Sequence, residues 1–267
     1  MHQTALESYR QNRYDVPMFR LVIICILSMF ILGCQLNRSF TPMSPRHFFG
    51  SEQSRQGIVA LEQGHLSEAE KLLEDAVKWN KNDINHRRHY AEVLWQQGRH
   101  NDALQQLDEA VRRGGQNSAS LHISIAEKRL ELNEFQTAYQ HADSAVNLEP
   151  QNYRSWALRG RAKKVEAHHA EHNEHTLAML NEAHEDYLRA ISLSPGHAGL
   201  LSELASIQMN CGQPEQALAT WLTLQNLYPQ GAEPMEVMLG KMETLTALNR
   251  LDEVEKIKMA VREQGMQ

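Results

Sequence analysis

Cysteine is almost missing from this chain. Among 267 residues only Cys25, Cys34 and Cys211 occur, too few for a disulfide framework. Proline is scarce as well. There are 8, and none falls between Pro45 and Pro150. A proline-free stretch of that length, rich in Ala, Leu, Glu and Gln, reads as helix rather than sheet. Positive charge is not in excess: 27 Lys and Arg stand against 33 Asp and Glu, a net charge of −6. That balance argues against bulk electrostatic binding to nucleic acid. Catalytic motifs are missing too. No nucleophile stands beside a base, and no carboxylates are paired in motif spacing. Gly114-Gly115 leads into Gln116, Asn117 and Ser118 without the lysine of a phosphate loop, and reads as a relaxed linker. No enzymatic activity and no cofactor are expected. Apolar residues, by contrast, make up 42% of the chain, which excludes disorder throughout.

Those apolar residues are unevenly spread. Leu21 to Leu32 contains one polar residue, Ser28, and follows Arg20. A positive flank, a short apolar core and a small residue at its end have the form of an export signal. The run is short for a bilayer span, which needs about 20 residues. Its end, Ile31-Leu32-Gly33-Cys34, resembles the lipobox of bacterial lipoproteins. The resemblance implies cleavage before Cys34 and a diacylglycerol on its sulfur, so residues 1–33 are read as signal peptide. An uncleaved anchor is the other reading, and both place the remainder outside the cytoplasm. By the same resemblance Gln35, where Asp would retain a lipoprotein in the inner membrane, directs it to the outer membrane, facing the periplasm. Met18-Phe19-Arg20 makes an ordinary start, so translation is expected to begin at Met18. Losing residues 1–33 removes three arginines, one glutamate and one aspartate, leaving the mature chain one unit more negative. Residues 34–49 then hold the lipidated Cys34 and a tether, which carries Pro42 and Pro45 and no helical period.

Beyond the tether one phrase recurs: Ala, an apolar or small residue four on, and a small or apolar residue three further. It appears as Ala69-Leu73-Ala76, Ala103-Leu107-Ala110, Ala138-Ala142-Ala145, Ala183-Tyr187-Ala190 and Ala217-Trp221-Leu224. The leading alanines are 34, 35, 45 and 34 residues apart. Small residues stand upstream (Gly57, Ala91, Ala126, Gly160, Ala205), turn residues between (Gly64, Gly98, Asn133, Gly212), and Pro150, Pro195 and Pro229 follow. This pattern resembles the tetratricopeptide repeat, two antiparallel helices per unit. The resemblance implies an all-α fold, a right-handed superhelix of helix pairs over residues 50–267. Units are expected at about 50–83, 84–117, 119–152, 153–197 and 198–231, with a degenerate capping pair at 235–267. Pro214 fits the first turn of a second helix.

The resemblance also implies a concave groove lined by the first helix of each pair, helix A. Its candidate residues are Arg88, Glu92, Trp95, Glu127, Arg154, Arg161 and Lys164. Trp95 suits an aromatic anchor. The four cations suit an acidic side chain or a terminal carboxylate. Protein or peptide partners are therefore expected, with no nucleic acid, at the membrane surface. A scaffold for pilus, secretion or cell-wall assembly and an accessory to an envelope enzyme are the two readings. The fourth unit carries an insertion at 165–177 with His168, His169, His172 and His175. His168 and His172, one helical turn apart, are candidate metal ligands, which adds a metal or pH sensor as a third reading. A longer solvated hairpin accounts for the same insertion.

Overall fold

The computed structural model describes residues 45–170, 174–229 and 231–264. The chain divides between Phe49 and Gly50 into two units. Cys34, Met18 and the apolar run lie outside the described residues. No described helix is long and apolar enough to cross a membrane.

The described residues form twelve helices and no strand. They are α1 Pro45–Glu62, α2 Leu66–Trp79, α3 Ile84–Gln96, α4 His100–Arg112, α5 Ala119–Glu131, α6 Phe135–Leu148, α7 Tyr153–His169, α8 Glu174–Leu193, α9 Ala198–Asn210, α10 Pro214–Gln225, α11 Met235–Ala247 and α12 Leu251–Gln264. Odd helices are the A members of successive pairs, even helices the B members. From α2 onward each packs on its neighbours in chain order, as an α-solenoid does, and Gly57 of α1 lies against Leu73 of α2. Three successive A pairs also touch (α3–α5, α5–α7 and α9–α11), whereas successive B helices do not pack comparably. The A row is therefore the inner side of the stack.

The recurring phrase is what the stack buries. Every member is buried: Ala69, Leu73 and Ala76 in α2, and Ala103, Leu107 and Ala110 in α4. The same holds for Ala138, Ala142 and Ala145, for Ala183, Tyr187 and Ala190, and for Ala217, Trp221 and Leu224. The small residues of the A helices face the larger ones of B. A Cβ on Gly57 would come within 2.6 Å of the Leu73 side chain, and one on Gly160 within 2.9 Å of the Tyr187 ring.

The turns between A and B share one construction. Gly64, Gly98, Asn133, Gly212 and Asn249 all have positive φ, which closes the helix and points the chain back. The next N–H returns to the A helix in each case, as in His65 N–H to Ala60 C=O (2.9 Å) and Glu134 N–H to Arg129 C=O (2.8 Å). The A helices α3, α5, α7 and α9 start instead on side-chain caps, from Asp83, Ser118, Asn152 and His197. Pro150 and Pro195 follow the ends of α6 and α8, and Pro214 opens α10.

Two expectations need correction. First, α1 begins at Pro45, inside the stretch read as tether, because proline is tolerated in a first helical turn. Second, Gly114-Gly115 is not slack. Gly115 is buried, and a Cβ there would lie 2.5 Å from Leu121 and 2.7 Å from the Ala110 carbonyl. In the capping pair Val254 is buried, Leu251 is exposed and Lys258 pairs with Glu255 at 2.6 Å. The insertion, for its part, lengthens both helices of the fourth pair: α7 has 17 residues and α8 has 20, where most others have 12 to 14.

Candidate functional site

The A row is cross-linked by polar contacts, one step after another. Glu92 of α3 meets Lys128 of α5 at 2.8 Å. Glu127 of α5 meets Arg154 of α7 at 2.6 Å. Lys164 of α7 meets Glu203 of α9 at 2.6 Å and Ser206 at 3.1 Å. Ser202 of α9 donates to Glu236 of α11. Burial pushes the Glu92 carboxyl up, but the hydrogen bonds from Lys128 and Gln96 and the nearby positive charges outweigh it, so its pKa is lowered.

Trp95 is not an exposed anchor. It is buried in a cluster with Leu94, Leu107 and Leu121. Its Nε1 donates to Glu131 at 2.8 Å, His100 stacks on the ring at 4.2 Å, and Lys128 Nζ lies 4.7 Å from the ring centroid. The next unit supplies Glu131 and Lys128, which helix α3 alone does not reveal. Ile123 and Leu130 of α5 are buried in the adjoining cluster.

The basic stretch of the fourth unit is mostly neutralised. Arg154 and Lys164 have the partners just named. Arg159 and Lys163, on other faces of α7, pair with Asp143 and Asp186 and with Glu182 respectively. Arg161 is exposed and has no hydrogen-bonded or ion-pair partner among the described residues. Arg88 is half-buried, touches His89 at 3.4 Å, and keeps its Nε buried without a partner.

A cavity of about 230 Å³ opens between α5, α7 and α9. Arg154, Arg161, Glu127, Glu203 and His197 form its polar lining; Tyr153, Ala157, Leu158, Leu200 and Tyr187 supply apolar surface. Of the candidate groove residues, Glu127, Arg154 and Arg161 line this cavity. Glu203 of α9 and His197, which caps α9, were not among the candidates.

The histidine-rich insertion is only partly described. His172 lies outside the described residues. His168 Nε2 is 3.2 Å from Asn210 Nδ2, and His169 stacks on Phe135 at 5.0 Å. Among the described residues no group of three metal-ligating side chains gathers. Cys211 is half-buried, and burial pushes its thiol pKa up.

Residues 60–127 match the family described as Tetratricopeptide repeat. No curated protein matches the chain. Solved structures share its fold. One is titled a functional characterization of pilF from Pseudomonas aeruginosa: TM-score 0.67, 13% identity, covering 82% of this chain and 93% of that one. Another is PilW, described as a widely conserved type IV pilus biogenesis factor: TM-score 0.67, 15% identity, covering 80% and 92%. A third is YrrB, described as a TPR protein with an unusual peptide-binding site: TM-score 0.55, 16% identity, covering 71% and 90%. At these identities the likeness concerns the fold, which is an all-α solenoid of the tetratricopeptide type.

Proposed function

We propose that this chain is an exported, membrane-anchored scaffold that binds protein partners on its A-helix face and aids assembly of an envelope complex. The observation that carries the binding role is the open cavity between α5, α7 and α9, lined by charged groups over an apolar floor. Extended segments of a partner fit such a surface, since a solenoid presents a long face rather than one deep enclosed pocket. The anchor rests on the sequence around Cys34. A lipid on that sulfur, with more than one acyl chain, gives stable attachment because each buried CH₂ contributes about 0.8 kcal/mol. The fold shared with a pilus biogenesis factor favours pilus assembly among the envelope processes, as analogy of fold.

Two experiments test this reading. A photocrosslinking residue at Ala157, in membranes, is expected to capture a discrete envelope protein identified by mass spectrometry. Absence of any adduct there, with adducts from the B-helix face instead, refutes the groove. Separately, Cys34→Ala is expected to release the chain from the membrane fraction. Retention there would assign attachment to the apolar run itself.

A further inference from the structure

The cavity between α5, α7 and α9 has an uneven charge balance. Arg154 and Arg161 bring two positive charges to its lining and Glu127 and Glu203 two negative ones, and Lys164, outside the lining, adds a third positive charge on Glu203. Both carboxylates are engaged, Glu127 by Arg154 and Glu203 by Lys164, each at 2.6 Å. Arg161 is left over, exposed at the cavity and without an acidic partner among the described residues. This excess positive charge stands in a chain whose net charge is −6. Directly beside it lies the apolar surface of Ala157, Leu158, Tyr153 and Leu200.

We propose that this cavity takes an internal acidic residue of an extended partner segment, its side-chain carboxylate on Arg161 and a neighbouring apolar side chain on the floor. The inference rests on the scaffold reading above and names the chemistry its groove selects. Guanidinium and carboxylate are matched in geometry, and a hydrogen bond between ionised groups is roughly twice as strong as a neutral one. The A row continues on both sides of the cavity, through α3 and α11, so a chain can pass across rather than end there. A volume of about 230 Å³ suits a side chain, not a folded domain. The flanking pairs also confer selectivity: a basic segment would meet Arg161 with both nearby carboxylates already occupied.

The test uses the full chain in detergent and an array of random decapeptides, acetylated at the N-terminus and amidated at the C-terminus. Binding of selected peptides is then measured by fluorescence anisotropy against wild type, Arg161→Gln and the control Arg112→Gln. Arg112 is exposed on α4 and paired only with Glu109. Selected peptides are expected to share an Asp or Glu beside an apolar residue. Replacing that acid by its amide, or Arg161 by Gln, is expected to weaken binding about tenfold or more. The two losses should not add when combined, because they remove one contact. Arg112→Gln should bind as wild type. Peptides bound without acidic preference, or an acidic preference that survives Arg161→Gln, overturn the inference and leave the scaffold reading standing. So does binding that appears only when a parallel array with free C-terminal carboxylates is used. If no peptide binds by any part of the A-helix face, both the inference and the scaffold reading fail.

Discussion

Single residues in this chain are set by what the neighbouring helix brings. Gly57 and Gly160 exist as glycines because Leu73 and Tyr187 occupy the space where a Cβ would stand. Gly57→Val and Gly160→Val are each expected to destabilise the fold by about 1–3 kcal/mol, as overpacking does, read as a lowered urea midpoint. This relation was legible in the sequence, since the small residue and its larger partner lie at fixed spacing within one unit. The histidines were not. His89 and His141 are both held down to about 4 from an ordinary 6.5. Burial is the main cause for each, aided by Arg88 at His89 and by His122 at His141, whose Nδ1 atoms lie 2.9 Å apart. Between about pH 6.5 and 4 the unfolded chain therefore binds more protons than the folded one at these sites, and stability falls as pH falls. The urea midpoint is expected to drop across that window. The drop should be shallower in a His89→Gln, His141→Gln double variant; an unchanged slope would place the acid sensitivity elsewhere.

At the scale of helices, α7 is the most heavily tied. Arg159 reaches Asp143 of α6 at 2.7 Å and Asp186 of α8 at 2.6 Å, with its guanidinium 4.6 Å from the Trp156 ring centroid. The hydrogen bonds to Asp186 and then Asp143, and both negative charges, raise its pKa against the opposing effect of burial. Asp186 is buried, so Arg159→Ala strands a carboxylate. That is expected to cost about 3–5 kcal/mol, whereas Arg159→Met combined with Asp186→Leu should recover much of the loss. Thermal and urea unfolding of both variants measure the difference. The helices and their left-handed turns were readable from Gly64, Gly98, Asn133 and Gly212. Whether a groove side chain was free or engaged was not. Trp95 sits at a groove position by count, yet Glu131 and Lys128 lie a full unit further along the chain. Helical spacing says which way a residue points; it carries no information on what the next unit offers it. Arg161 stands out only after its neighbours have been paired off.

For the whole solenoid, the stack is held by two different materials. The phrase of alanines and its larger partners forms a close-packed seam between helices, and such interiors have low compressibility. The ladder along the A row is another matter. Glu92–Lys128, Glu127–Arg154 and Lys164–Glu203 each have at least one partner open to water, where ion pairs contribute roughly 0–1 kcal/mol and weaken with salt. A close-packed spine beside a screened polar edge is expected to make the pitch depend on ionic strength. The radius of gyration by small-angle scattering is expected to rise between about 0.05 M and 1 M salt, over which the screening length shrinks to about 3 Å. A constant radius would show that the seam alone sets the curvature. If the radius does respond, the surface proposed to receive a partner has a shape that the surrounding salt helps to set.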